Sequence, residues 1–267
     1  MKNFFLFVWL LFWASPLAFA GGIEATLSQA MATAGFSAEQ VARVQNIIET
    51  AQQKGLPAEA VSSKVYEGIA KHVAPDRIIR ALNRVTSRYE YGYSQARRLT
   101  KEKKQIADLG NTMTAGIAAG LTRQDSAKLV NSLQARSGQL NREELYLLAE
   151  ETMLTARDLS RQGIPSATTA ELVGKAVQKG FVARDMRTMR NAFNLQGRAG
   201  NRESLARDYS VAIEHGVQAC DLAGQSAGAR EGGGGHGSGN GDSGGAGGAG
   251  GSGGGNSGGS GNGGGHH

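Results

Sequence analysis

The chain is punctuated by glycines that stop helices. Gly55-Leu56-Pro57, Gly120-Leu121-Thr122, Gly163-Ile164-Pro165 and Gly180-Phe181-Val182 each follow one amphipathic run and precede another. A glycine takes the left-handed backbone that ends a helix without a Cβ penalty, and the apolar residue after it packs back on the last turn. This punctuation leaves few folds open. A short helical hairpin cannot cover its own apolar stripe, so neighbouring hairpins must stack. Two copies align without a gap over about thirty residues, Gly55–Val85 on Gly163–Phe193, which sets Lys71 on Lys179 and Val65 on Val173.

Helical periodicity dominates between these stops. Ser37 is a predicted N-cap, with Val41, Val44, Ile47, Ile48 and Ala51 on one face up to Gly55. Pro57 suits a first helical position, and Val61, Val65 and Ile69 form the next face. After Pro75, Ile78, Ile79, Leu82 and Val85 face inward. A more polar zone then runs from Thr86 to Gly110, where Gly92 is placed to kink or interrupt the helix. Asn141 is a predicted N-cap with Glu143 and Glu144 in the first turn, and a last amphipathic segment spans Arg202 to Ala219. No sustained alternation of β-branched residues occurs. The expected fold is all-α: an irregular array of stacked helical hairpins, solenoid-like or a bundle, possible as two lobes joined near residues 86–110.

The two ends read differently. Lys2 followed by the apolar run Phe4–Trp13, the break at Ser15-Pro16 and Ala18-Phe19-Ala20 have the layout of a secretory signal over residues 1–20. Ten apolar residues are too few to span a bilayer comfortably, and no later stretch has the length of a transmembrane helix. The expected location is exported, periplasmic or extracellular. At the other end, residues 231–267 contain 22 glycines in 37 residues and no large apolar side chain. Such a segment cannot bury enough surface to offset its chain entropy. The expected domains are a signal at 1–20, a helical-hairpin domain at 21–228 and a disordered Gly/Ser/Asn-rich tail at 229–267. Within and beside that tail, Gly241-Asp242-Ser243-Gly244-Gly245 and Gly224-Gln225-Ser226-Ala227-Gly228 spell hydrolase serine motifs, but both need a rigid structural context that low-complexity sequence does not supply.

The run from Gly55-Leu56-Pro57 through Glu67-Gly68-Ile69-Ala70-Lys71 to Pro75-Asp76-Arg77-Ile78 resembles a recurring pattern in uncharacterised exported bacterial α-helical proteins with Gly-Leu/Ile-Pro hairpin repeats. The second copy keeps Gly163-Ile164-Pro165 and Lys179-Gly180, but has Ala183 in place of Pro75 and Lys175-Ala176 in place of Glu67-Gly68. The resemblance rests on turn and packing signatures and carries no activity with it.

Formal net charge is +6, and Lys2 is the one charged side chain ahead of Gly21, so the remainder carries +5. Basic residues cluster at Arg97, Arg98, Lys101, Lys103 and Lys104, with Tyr89, Tyr91 and Tyr93 just before them. In an exported protein this combination points to an anionic envelope polymer or an envelope protein, with no nucleic acid expected. The candidate binding residues are therefore Tyr89, Tyr91, Tyr93, Arg97, Arg98 and Lys101. On a helix, Tyr89 and Tyr93 share a face and Tyr91 does not.

Catalytic and metal signals are sparse. There is no His-Glu-x-x-His, Cys pair or EF-hand spacing. His236, His266 and His267 are candidates for weak Zn, Cu or Ni binding by the tail, and no other cofactor is expected. Glu143 and Glu150 lie one heptad apart, with Glu144 and Glu151 beside them, and Arg142, Arg157 and Arg161 offer helix-surface pairing instead of acid–base chemistry. Cys220 is the one cysteine, so it is either a buried small apolar residue or an exposed link to a second chain, a possible dimer. The sequence reads as an exported non-enzymatic helical-repeat protein, a binding or scaffolding module of the bacterial cell envelope. The alternatives are a periplasmic metal binder using the His-tipped tail and an envelope hydrolase.

Overall fold

The computed structural model describes residues 20–197 and 201–222. The signal-like segment and the Gly-rich tail, with His236, His266 and His267 and both serine motifs, lie outside the described residues. Among the described residues there are ten longer helices and one short turn of helix at 219–222, and no strand. The helices are α1 (Ala20–Thr33), α2 (Ala38–Gln53), α3 (Ala58–Ala70), α4 (Pro75–Leu99), α5 (Lys103–Ala118), α6 (Arg123–Ala135), α7 (Arg142–Arg161), α8 (Ser166–Gln178), α9 (Ala183–Gln196) and α10 (Arg202–Glu214).

The stops behave as their chemistry requires. Gly55, Gly120, Gly163 and Gly180 have φ of +66°, +118°, +83° and +92°. At Gly163 the glycine N–H donates to Ser160 and the Ile164 N–H reaches back five residues to Leu159, the paired bonds of a Schellman end. Leu56, Leu121, Ile164 and Phe181 are buried behind their glycines. The same pair of bonds recurs at Gly35 and Gly216. It also recurs at His72, which sits at φ +51° as the one non-glycine with positive φ among the described residues.

The internal repeat holds to the residue. α3 and α8 start and end at positions separated by the same 108 residues as Gly55 and Gly163, and His72 falls where Gly180 falls. Helix starts follow side-chain chemistry as well. Ser37 with Gln40, and Asn141 with Glu144, form reciprocal capping boxes. Pro57 stands one place earlier than expected, as the N-cap of α3, not its first helical residue.

Even-numbered helices pack in succession, α2 on α4, α4 on α6, α6 on α8 and α8 on α10. In the odd-numbered set, α5 packs on α7 and α7 on α9, while the most extensive helix pair of all is α4 with α5. Buried side chains form two clusters. One gathers Leu27, Val44, Val61, Val65, Leu82 and Tyr93. The other runs from Ala96 and Leu109 through Leu148, Val173 and Phe193 to Leu222. α4 serves both, and Ile106 at the start of α5 packs against both.

Gly92 does not interrupt α4, which is continuous over 25 residues. The glycine instead lets two helices touch. A Cβ at Gly92 would lie 2.6 Å from Thr114 Oγ1 and 2.7 Å from the Gly110 carbonyl oxygen. A Cβ at Gly110 would lie 2.4 Å from the Tyr93 ring. The polar zone from Thr86 to Gly110 is thus the second half of α4, a short link and the first half of α5.

Candidate functional site

The tyrosine and arginine residues singled out in the sequence lie on α4 and in the link after it, where their polar groups join helices. Tyr93 is buried, its ring meets Tyr89 edge-on at 6.2 Å, and its hydroxyl donates to Asn111 Oδ1 at 3.1 Å. Burial raises the Tyr93 phenol above its ordinary value, and neighbouring Tyr89 adds to the rise. Tyr91 points toward α6 and donates its hydroxyl to the Arg123 carbonyl. The Arg123 guanidinium lies 5.2 Å over the Tyr91 ring and donates to the Ser87 carbonyl and hydroxyl. Burial also raises the Tyr91 phenol, against the opposing pull of Ser126, Arg123 and Arg98.

The three basic residues close helix ends and bridge helices. Arg97 Nη2 donates to the carbonyl of Lys54, the C-cap of α2, at 3.0 Å. Arg98 donates to Gln95 on its own helix and to Asn131 and Gln134 of α6 at 2.7 and 2.6 Å. Lys101 Nζ donates to the Arg97 carbonyl at 3.1 Å. Tyr89, Tyr93 and Arg97 therefore lie toward the first core and α2, while Tyr91 and Arg98 lie toward α6. They do not converge on one point.

The acidic residues of α7 are also tethers. Glu151 is 4% exposed and pairs with Arg187 and Arg190 of α9, the latter at 2.8 Å. Arg190 and Arg157 both approach Asp158, at 3.9 and 2.8 Å. The partners of Glu151 thus come from another helix, and not from Arg142, Arg157 or Arg161. A second polar knot joins the starts of α6 and α8. Asp125 accepts from Ser166 Oγ at 2.6 Å, Thr122 Oγ1 at 2.9 Å and Lys128 Nζ at 2.8 Å. Burial pushes the Asp125 carboxyl up, but those three donors outweigh it and hold it below its ordinary value.

Among the described residues, no three His, Cys, Asp or Glu side chains are grouped as a metal site. No described helix is long and apolar enough to cross a membrane. Cys220 is exposed on the turn at 219–222, with Sγ 3.7 Å from Asp221 Oδ1, so the buried reading of this cysteine is corrected. Ala219 and Leu222 of the same turn are buried in the second core, which leaves Cys220 on the outer side. A cleft of about 660 Å³ opens between α1, α2 and α3, lined by Leu27, Ala42, Gln45, Ile48, Gln52 and Ala58.

One feature of α4 was missed in the sequence. Arg77, Arg80, Arg84 and Arg88 recur at steps of three, four and four residues, the spacing of a single helix face. That face lies opposite the one carrying Ile78, Leu82, Thr86, Tyr93 and Ala96. Arg77, Arg80 and Arg84 are exposed, and Arg88 is half-buried with an Nε that has no hydrogen-bond partner. None of the four pairs with a carboxylate among the described residues, unlike Arg43, Arg187 and Arg207, each of which does. The signal that finds them is the 3-4-4 spacing, which the denser cluster after Arg97 overshadows.

Comparison with protein families, with characterised proteins and with solved structures finds no match to this chain.

Proposed function

We propose that the chain is an exported, non-enzymatic helical-repeat protein that serves as a binding or scaffolding module of the bacterial cell envelope. The reading combines the signal-like start of the sequence with a stacked-hairpin array of helices. The observation that carries it is the fate of the groups that had looked chemical. Glu151 is neutralised by two arginines of α9, Asp125 is held by three donors, and Tyr91, Arg97 and Arg98 bond to neighbouring helices. A general acid or base needs a free proton-transfer edge and a tuned pKa. Glu151, buried and paired with two guanidinium groups of α9, is placed as a tether between helices. What such an array offers is a long surface of rigid helices, the property that repeat proteins use for binding.

The test is co-sedimentation of the purified full chain with an isolated envelope fraction, followed by analysis of the soluble phase. Retention on the envelope without release of soluble polymer fragments is the expected result. Release of fragments that grows with time would overturn the non-enzymatic reading.

A further inference from the structure

We infer that the arginine row of α4 is a docking surface for a linear, base-free phosphodiester polymer of the envelope, such as a glycerol-phosphate chain. The inference rests on the envelope-binding reading and names its ligand class. Arg77, Arg80, Arg84 and Arg88 lie along one face of α4, so their Cα atoms climb in steps of about 4.5 to 6 Å over roughly 16 Å of helix. That is a straight ladder of positive charge, commensurate with a chain that carries one anion per repeat unit.

Three observations favour this ligand. The ladder has no internal acid: no carboxylate among the described residues pairs with any of the four arginines, and Arg77, Arg80 and Arg84 are exposed. Like charges three and four residues apart on one helix face repel modestly, and an anion seated among them relieves that repulsion while forming charge-assisted hydrogen bonds. Second, Tyr91, which falls on the same face further along α4, has its ring covered by Arg123 and its hydroxyl bound to the Arg123 carbonyl. With one ring face taken by a guanidinium and its hydroxyl tied back, Tyr91 is a poor platform for the base stacking that single-stranded nucleic acid uses for affinity. Third, the exposed large apolar side chains of the described chain, Tyr66, Val73, Leu147, Val182, Leu195 and Val211, all lie off α4. A membrane-docking helix needs an apolar face to bury beside its basic one, and α4 turns its apolar face into the two cores.

The test is fluorescence anisotropy of a labelled synthetic glycerol-phosphate oligomer against the purified full chain, over a salt series. Four contacts give an expected slope of log affinity on log salt of about −3, at roughly 0.7 per phosphate on a single strand. The double substitution Arg80→Gln/Arg84→Gln is expected to weaken binding roughly tenfold at low salt and to halve that slope, each lost contact removing its share of released counterions. Arg43→Gln on α2, whose arginine already pairs with Glu39, is expected to change nothing. Circular dichroism establishes that the variants stay folded, and the salt slope of the unaltered chain stands apart from any variant. The inference is overturned by absence of binding at low salt or by binding that the double substitution leaves intact. It is also overturned by tighter binding of single-stranded DNA at equal phosphate number, or by binding to anionic vesicles but not to the free oligomer. Failure here with continued retention on the envelope fraction rejects the ligand class alone, and loss of both rejects the envelope reading.

Discussion

The contact between α4 and α5 makes a sharp prediction, because the same substitution should have opposite signs at two helical glycines. Inside a helix, Gly→Ala gains about 1 kcal/mol from backbone entropy and propensity. At Gly174 in α8 an added Cβ would meet Leu129 Cδ2 at 3.7 Å, ordinary van der Waals contact, so the gain is realised. At Gly92 the added Cβ would sit 2.6 Å from Thr114 Oγ1, 2.7 Å from the Gly110 carbonyl oxygen and 3.2 Å from the Thr114 backbone nitrogen. Two of those three atoms are backbone, so relief requires α5 to move outward by about an ångström. Overpacking of this kind costs about 1–3 kcal/mol, and the most extensive helix pair in the chain loosens with it. The expected net effect of Gly92→Ala is a loss of up to about 2 kcal/mol, against a gain of about 1 kcal/mol for Gly174→Ala. For a domain of this size each kcal/mol moves the melting temperature by about 2–4 °C. Urea unfolding followed by far-UV circular dichroism measures both. Equal stability of the two variants within about 0.5 kcal/mol would refute the close approach of α4 and α5.

Three further outcomes are expected. Glu151→Ala should cost about 3 kcal/mol in the same urea assay, because it leaves the mostly buried Arg190 with only the longer 3.9 Å contact to Asp158, whereas Arg187→Ala should cost much less since that side chain is 61% exposed. His72→Gly should stabilise by about 1 kcal/mol by removing the left-handed penalty on a side-chain-bearing residue, while Gly163→Val should destabilise by more than that. Asp125 has a folded pKa below its unfolded value of 3.8, so its contribution is present above that value and fades as pH falls through the folded pKa; Asp125→Asn should flatten the acid limb of a stability–pH curve below pH 3.8 and leave the alkaline limb unchanged.

Local signals were readable in the chain and long-range ones were not. The helix stops at Gly55, Gly163 and Gly180, the caps at Ser37 and Asn141 and the gapless repeat all reappear in the fold, because each depends on a few consecutive residues. Gly92 was misread for the opposite reason. A lone glycine in a helical run can mark a kink or a close crossing, and the choice lies with Gly110 and Thr114 on another helix. The partners of Glu151 lie 36 and 39 residues further on, at Arg187 and Arg190, beyond any helix-spacing rule. Tyr93 illustrates the same limit. Its position beside a basic cluster resembled a ligand platform, yet amphipathic phase alone turns it into the core and leaves Arg77, Arg80 and Arg84 outside. That phase was available in the sequence, and the arginine row was the part of it left unused.

α4 contributes Ile78, Ile79, Leu82 and Tyr93 to one core and Ala96 to the other, without a break between them. Neither core keeps its full wall if the other dissolves. A ligand that binds only the folded form raises stability by mass action, and one gripping the first half of α4 would raise it for residues it never approaches. Hydrogen-exchange rates in α7 and α9 thereby become a remote gauge of occupancy on Arg77 to Arg88.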